Sequence, residues 1–428
     1  MTAKRRSRIA AVIAAVLVTA IAVFLVLNLS LGDKTVDRRV ESLYGVADAQ
    51  FLRTMGALLG PPIVPGNRTV ALVNGDEIFP AMLAAIRGAK MTVDLETYIY
   101  WSGEIGKVFA QALSDRARAG VRVSVLLDWI GSGKIDEHLL DEMREAGVAV
   151  HRYNRPLWYN LGRLNNRTHR KLLVVDGRVG FTGGVGIADP WTGHAQDPDH
   201  WRDTHFRVEG PVVAQMQGAF LDNWMEVTGT VSHGSAYFPP IAPAGNEHGQ
   251  VFLSSPGGGS ESMQLMYLLS IAAARDTIRL SASYFVPDDV ALDTFVAALK
   301  RGVRVQIILP GPHMDASIVR RASRAQWGRL LNAGAEIYEY QPTMFHCKVM
   351  VVDDLWTSVG STNFDSRSFS VNDEANLNIY DSAFARRQSA IFEDDLKRSR
   401  RVSLEEWNDR PWTEKLWEHT VALLGSQL

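Results

Sequence analysis

His169-Arg170-Lys171-Leu172-Leu173-Val174-Val175-Asp176 and His346-Cys347-Lys348-Val349-Met350-Val351-Val352-Asp353 are two copies of one pattern, His-x-Lys-x-x-x-x-Asp. Each is followed at the same offset by a glycine-containing turn, Gly183-Gly184 in the first copy and Gly360-Ser361 in the second. Side chains alternate faces along a strand. His169 and Lys171 therefore share a face, as do His346 and Lys348, while Asp176, Asp353 and Cys347 have the opposite parity. The runs Leu172–Val175 and Val349–Val352 are apolar at every position, which is the pattern of central strands covered on both sides.

Working outward, the residues around the two motifs repeat at domain scale. Before the first copy, a helical pattern ending at Ala84–Lys90 leads to a strand at Met91–Tyr100. A helix through Phe109–Ala119, the strand Val121–Asp128, a helix ending at Ala146-Gly147 and the strand Val148–Tyr153 follow. Before the second copy, a helix ending at Asp276, the strand Thr277–Val286, the helix Val290–Arg301, the strand Val303–Leu309, a helix ending at Ala333-Gly334 and the strand Ala335–Tyr340 follow the same order. Strands alternating with helices predict an α/β fold with a largely buried sheet, and the repetition predicts two matching halves. The expected divisions are a membrane anchor at 1–32, a connector at 33–66, a first half at 67–231, a linker at 232–260, and a second half with a helical tail at 261–428. The linker contains Pro239-Pro240, Pro243, Pro256 and Gly257-Gly258-Gly259 and reads as an exposed connection.

A chain of 428 residues with 46% hydrophobic content can bury two cores of ordinary size. Its formal net charge of -2 argues against a general nucleic-acid-binding surface. A single cysteine, Cys347, allows no intrachain disulfide. At the N-terminus, Lys4, Arg5, Arg6 and Arg8 precede an apolar run from Ile9 to Leu27 broken only by Thr19. That run is near the roughly 20 residues of a spanning helix and longer than a signal-peptide core. The expectation is a single-pass anchor in a bacterial cell membrane. The basic cluster would stay in the cytoplasm and the catalytic part would lie on the far side, although Lys34, Arg38 and Arg39 are basic as well.

Two facing His-Lys pairs suit a phosphodiester. The lysines supply charge to the non-bridging oxygens, one neutral imidazole attacks phosphorus, and the other, protonated, delivers a proton to the leaving alkoxide. Fixed cations already supply the electrostatic stabilisation, so neither a metal nor another cofactor is expected. Ser361 and Asn363 offer donors to phosphate oxygens, and Gly183, Gly184 and Gly360 permit close backbone approach. In each half an acid follows on a polar strand: Asp203 in Trp201-Arg202-Asp203-Thr204-His205, and Glu374 in Asn372-Asp373-Glu374-Ala375-Asn376. A carboxylate on the second ring nitrogen would fix the tautomer, and proximity in sequence assigns Asp203 to His169 and Glu374 to His346. Asp176 and Asp353 read as structural acceptors at strand ends. Glu96 is a candidate lining residue of the pocket.

These residues resemble the phospholipase D superfamily and, within it, the bacterial cardiolipin synthases. The resemblance rests on Leu95–Ile99, His169–Asp176 with Phe181–Gly184, Trp201–His205, Tyr284–Asp288 and Gly360–Phe369, and spans about Val70 to the C-terminus. It implies two pseudo-twofold-related α/β/α sandwich halves with the site between them. It also implies His169 as nucleophile, His346 as acid and base, and transfer between two phosphatidylglycerol molecules to give cardiolipin and glycerol. The implied partner is phospholipid in the bilayer, and the near-neutral charge and the anchor lead to no expectation of nucleic acid. Hydrolysis by the same first step stays open, of a lipid phosphodiester ahead of a nucleic acid on those same grounds, as does a silent protein that keeps the fold. The family usually has Asn where this chain has Gly186, which weakens the first half-site.

Overall fold

The computed structural model describes residues 3–29, 36, 38–155, 166–255 and 260–422. The repeated pattern folds twice in the same order. The first half runs helix Asn74–Gly88, strand Thr92–Thr97, helix Glu104–Arg118, strand Arg122–Asp128, helix Glu137–Glu145 and strand Ala149–Tyr153, and then the motif strand Leu172–Val175. The second runs helix Ser260–Ala273, strand Thr277–Ala282, helix Asp289–Lys300, strand Arg304–Pro310, helix Ser317–Asn332 and strand Glu336–Tyr340, and then the motif strand Lys348–Val352. The helices end where the repeated Ala-Gly and Arg-Gly steps place glycine after the last turn, at Gly120, Gly147, Gly302 and Gly334. All four have positive φ, a conformation that ends a helix without steric cost.

The halves share one sixteen-stranded sheet. From the first half's edge inward, the order is 149–153, 122–128, 92–97, 172–175, 179–183, 204–209 and 64–73. From the junction outward it continues 247–254, 372–380, 356–360, 348–352, 277–282, 304–310 and 336–340, with 399–402 on the far edge. The order reads the same from either side of the junction between 64–73 and 247–254, which pair antiparallel. Both motif strands are internal. Leu172 and Val174 enter a central core with Phe206, Met216 and Val251, and Leu173 and Val175 enter the first half's outer core with Leu95 and Phe109. Two apolar faces on one short strand therefore follow from two helical layers, the outer one built on Asn74–Gly88 and Glu104–Arg118, the inner one on Val213–Thr228.

The stretch 232–260 is not merely an exposed connection. Its prolines and glycines flank the strand Glu247–Ser254, which is largely buried and forms the second half's side of the junction. The connector likewise holds the helix Ala49–Leu58, whose Phe51 packs edge-on against Trp356 of the second half at 5.0 Å. The N-terminal segment is helical over Ala3–Leu29. Among the described residues no helix is long and apolar enough to cross a membrane, so the expected spanning helix is not found in the structure.

Two symmetric devices close each motif strand. Asp176, at φ 53°, accepts the backbone N–H groups of Lys90, Met91 and Thr92 at 2.7–3.1 Å, and Asp353, at φ 50°, accepts those of Arg275, Asp276 and Thr277 at 2.8 Å. Further on, Gly183 and Gly360 lie against the neighbouring strand so closely that a Cβ would strike His205 in the first half and Asn376 in the second. His205 and Asn376 are thus equivalent, but unlike Asn376, which donates to Ser358 Oγ at 3.0 Å, His205 is 1% exposed with no hydrogen-bond partner on either ring nitrogen among the described residues.

Asp353→Ala strands three donors, so it should lower unfolding free energy by about 2–4 kcal/mol in a denaturant titration. A wild-type midpoint would show that the turn holds without its carboxylate. Burial pushes His205 down to about 4. The unfolded chain takes up its proton near 6.5, so this residue's contribution is complete above that pH and is lost as pH falls toward 4, on the order of 3 kcal/mol. His205→Asn should flatten the fall in melting temperature between pH 6.5 and 4; an unaltered slope would exclude His205 as its source.

Candidate active site

Each motif histidine is placed by the backbone of the opposite half. The strand Arg167–Thr168 pairs in parallel with Asn372–Asp373, and the His169 N–H donates to the Asp373 carbonyl at 2.8 Å. Reciprocally, Phe345 bridges Arg202, and the His346 N–H donates to the Arg202 carbonyl at 2.7 Å. This pairing sets each imidazole beside the acid of the other half. His169 Nδ1 lies 2.9 and 3.0 Å from the two oxygens of Glu374, and His346 Nδ1 lies 2.8 Å from Asp203 Oδ2. The assignment by proximity in sequence is therefore reversed: Glu374 serves His169 and Asp203 serves His346.

All four groups are nearly or fully buried. His169 and His346 are 8% and 6% exposed, Asp203 1% and Glu374 0%. Burial works against both carboxylates, but the adjoining imidazoles, the lysines and further donors hold them below their ordinary range. Asp203 also accepts the Thr204 N–H at 2.8 Å, and Glu374 the Ser361 hydroxyl at 2.6 Å. Burial pushes His169 down to about 4, against the attraction of Glu374, and lowers His346 too. An ionised carboxylate pairs with an N–H, so the proton of neutral His169 is on Nδ1 and the Nε2 lone pair is free.

The lysines complete the cluster. Burial pushes Lys171 down to about 7 and lowers Lys348, and each feels the other's charge or the other half's carboxylate. Lys171 Nζ donates to the His169 carbonyl at 2.9 Å and lies 5.7 Å from the centre of the Tyr98 ring, which itself packs edge-on against His169 at 5.1 Å. Lys348 Nζ donates to the His346 carbonyl at 2.9 Å and to Ser283 Oγ at 2.5 Å, and the Ser283 hydroxyl in turn donates to Asn363 Oδ1 at 2.8 Å. Asn363 is thus joined to the second lysine through Ser283.

Other candidates sit differently from expectation. Ser361 is fully buried; besides donating to Glu374 it accepts the Ala375 N–H at 3.0 Å, so it supports the carboxylate and is not offered to a ligand. The space over Gly183 and Gly360 is filled by the neighbouring strand, and that over Gly184 by the Asp203 carboxylate, so these glycines admit protein and not substrate. Glu96 does not line an open pocket. It is 0% exposed, accepts from Thr168 Oγ1 and from Asn223 Nδ2 at 2.7 Å, and burial raises it to about 7. It braces the residue before His169.

Several contributors carry no sequence signal as a group. Buried Arg170 reaches the Ala219 carbonyl, Asp222 and Ser255 behind the first motif, and buried Arg202 makes a two-pronged pair with Asp395 at 2.8 Å behind the second. Trp191 and Trp201 pack on His346 with ring centres at 5.3 and 5.5 Å. An apolar residue inside a polar motif, such as Trp201 two places before Asp203, is the one hint that was readable. Among the described residues no group of three or more His, Cys, Asp or Glu side chains is arranged to hold a metal ion.

Comparison with known proteins places this arrangement. A family profile described as "Cardiolipin synthase, PLD-like domain" matches residues 82–215 and 267–396, one match on each half. The chain is 36% identical over 365 residues to the major cardiolipin synthase of Bacillus subtilis (strain 168), covering 84% of this chain and 75% of that protein. It is 33% identical over 375 residues to cardiolipin synthase A of Pseudomonas putida (strain GB-1), covering 87% and 78%. Among solved structures, the phosphatidylserine synthase of Haemophilus influenzae Rd KW20 has the same fold, with a TM-score of 0.65 at 14% identity over 89% of this chain and 99% of that one. With the profile on both halves and such relatives along most of its length, the chain belongs to the cardiolipin synthase family of phospholipase D-like proteins.

Proposed function

We propose that the protein is a phosphatidyltransferase that joins two phosphatidylglycerol molecules into cardiolipin and glycerol, by way of a phosphohistidine on His169. The observation that carries the reading is the crossed pair of His-carboxylate dyads, each with a buried motif lysine bonded to its histidine's carbonyl. The Nε2 lone pair of neutral His169 attacks phosphorus. The bond from phosphorus to the glycerol oxygen breaks, and protonated His346 delivers its proton to that oxygen. A hydroxyl of the second phosphatidylglycerol then attacks, gives its proton to His346, and displaces His169. Lys171, Lys348 and the Asn363 amide hold the non-bridging oxygens.

Charge supports this division of roles. With both lysines protonated, they balance the two carboxylates while both imidazoles are neutral. A bound phosphodiester adds one negative charge, and a proton on His346 restores neutrality. A buried site tolerates that combination better than an uncompensated anion. The relatives at 33–36% identity are named cardiolipin synthases, which supports phosphatidylglycerol as both donor and acceptor.

The proposed location is the membrane. The described side chains at Ile9 and Ala11–Val23 are all exposed, although most are apolar. A helix apolar all round needs an apolar surrounding, and the preceding basic cluster suits the cytoplasmic side of a single-pass anchor. Deleting residues 1–34 should release the protein from the membrane fraction; a truncated protein that still sediments with membranes would place the attachment elsewhere.

Purified protein in phosphatidylglycerol micelles should yield cardiolipin and glycerol in equal amounts. Phosphatidic acid as the main product would make it a hydrolase instead. His169→Ala should remove both turnover and the acid-labile phospholipid adduct, and adduct persisting in that variant would assign the nucleophile elsewhere. Because burial favours uncharged His169, the acid limb of kcat/KM should fall near pH 4, not near 6.5. Bound phosphodiester favours the His346 proton, so the alkaline limb of kcat should lie above that of kcat/KM; coincident limbs would contradict His346 as the acid.

A further inference from the structure

The two half-sites are related by the sheet's symmetry but are not chemically alike. In the second, the turn after the motif strand supplies two polar side chains: Ser361, whose hydroxyl donates to Glu374 Oε2 at 2.6 Å, and Asn363, which accepts from Ser283. The matching residues of the first turn are Gly184 and Gly186, and neither could carry a side chain. A Cβ at Gly184 would strike the Asp203 carboxylate, and one at Gly186 would lie 2.9 Å from Ile99 Cβ and 3.2 Å from Trp191 Cζ3. Asp203 nonetheless has the donor that its counterpart has. The Trp191 indole Nε1–H donates to Asp203 Oδ2 at 2.9 Å, the same oxygen that meets His346 Nδ1.

We infer that Trp191 is a positioning residue for the transfer reaction: its indole N–H does for Asp203 what the Ser361 hydroxyl does for Glu374, while its ring fills the space of the missing Asn side chain and walls one side of His346. The inference rests on the proposed role of His346 as acid and base. Trp191 is brought there by the short helix Asp189–Trp191, and it is 1% exposed. Its N–H lies in a site where the other groups facing the His346 ring are Asp203, Lys348 with Nζ 3.3 Å from both ring nitrogens, the Trp201 ring and, at longer range, Asp315.

A donor to an ionised carboxylate spreads its charge and lowers its basicity. By drawing on Asp203 Oδ2, Trp191 weakens that oxygen's hold on the His346 proton. The imidazolium therefore gives its proton to a leaving alkoxide more readily than it would beside an undiluted carboxylate. Removing the N–H should raise the His346 pKa.

The test is Trp191→Phe in the full-length, detergent-solubilised protein, with a benzothiophene isostere of tryptophan at position 191 as the second variant, which exchanges the N–H for sulfur and keeps the ring's shape. Trp201→Phe alters a ring on the same imidazole without removing a donor to Asp203. The readout is the titration of histidine ring carbons by NMR after selective labelling, assigned with a His346→Gln sample, together with the pH profile of kcat/KM. Both position-191 variants should raise the His346 pKa, and move the alkaline limb upward, by about half a unit to one unit, leaving the acid limb in place. Trp201→Phe should leave the His346 pKa within the scatter of wild type. An unmoved His346 titration in the isostere, or an equal shift in Trp201→Phe, would overturn the inference. The titration needs no turnover, so its failure is separate from a failure of the phosphatidyltransferase reading, which would appear as wild-type protein that makes no cardiolipin.

Discussion

The exchange of carboxylates across the junction governs this site. His169 belongs to the first half and Glu374 to the second; His346 belongs to the second and Asp203 to the first. Neither half can orient its own imidazole. The cause is in the backbone: each residue just before or at the motif histidine pairs with the strand or segment that carries the opposite acid, Thr168 with Asp373 and Phe345 with Arg202. The catalytic unit is the assembled sheet, and the strands 64–73 and 247–254 at its centre are the hinge pins of the chemistry as much as of the fold.

Duplication supplies the frame and substitution then makes the halves unequal. The structural devices stay identical, as Asp176 and Asp353 show by accepting three consecutive backbone donors each. The groups near the histidines diverge. Lys348 is tied to Ser283 and Asn363, whereas Lys171 lies by the Tyr98 ring. His346 sits against two indoles, and His169 against a phenol ring. Under the proposed mechanism the two tasks, attack and proton delivery, are a reason for such divergence, because identical environments would give the two imidazoles identical intrinsic proton affinities.

The repeated motif, its apolar strands and the helix–strand order were all readable from residues in series, because local periodicity and burial on two faces leave a direct trace in composition, whereas the motif histidines themselves sit just before the strands Leu172–Val175 and Lys348–Val352. The motif strands are central for the reason their apolar runs suggest. What could not be read was anything decided by which strand lies beside which. Glu374 is 28 positions from His346 and 205 from His169, yet it serves the latter, since the register across the junction is a property of the folded sheet. The strand Glu247–Ser254 was hidden for a related reason: prolines and glycines on both sides dominate its neighbourhood, and its partners are remote in sequence, the strand 372–380 on one side and 64–73 on the other, where the Asn67 amide reaches the Glu247 carbonyl. Glu96 lies in the expected segment, but its direction depends on the helix Val213–Thr228, which supplies Asn223.

The lysines show why burial of the whole cluster serves the reaction. An ammonium in this depth of protein loses hydration, which is why Lys171 is pushed down to about 7 and Lys348 is lowered as well. Two carboxylates offset part of that cost but are already committed to the imidazoles. Under the proposed mechanism a phosphodiester entering the site would set anionic oxygens beside the two lysines and offset part of that cost. In that mechanism the attraction grows as negative charge gathers on the equatorial oxygens during attack, within a cluster of nearly buried side chains. Interactions that strengthen toward the transition state are the ones that raise kcat. In the proposed reaction they would come from side chains held in place before the substrate arrives, by a sheet that continues without a break from one half into the other.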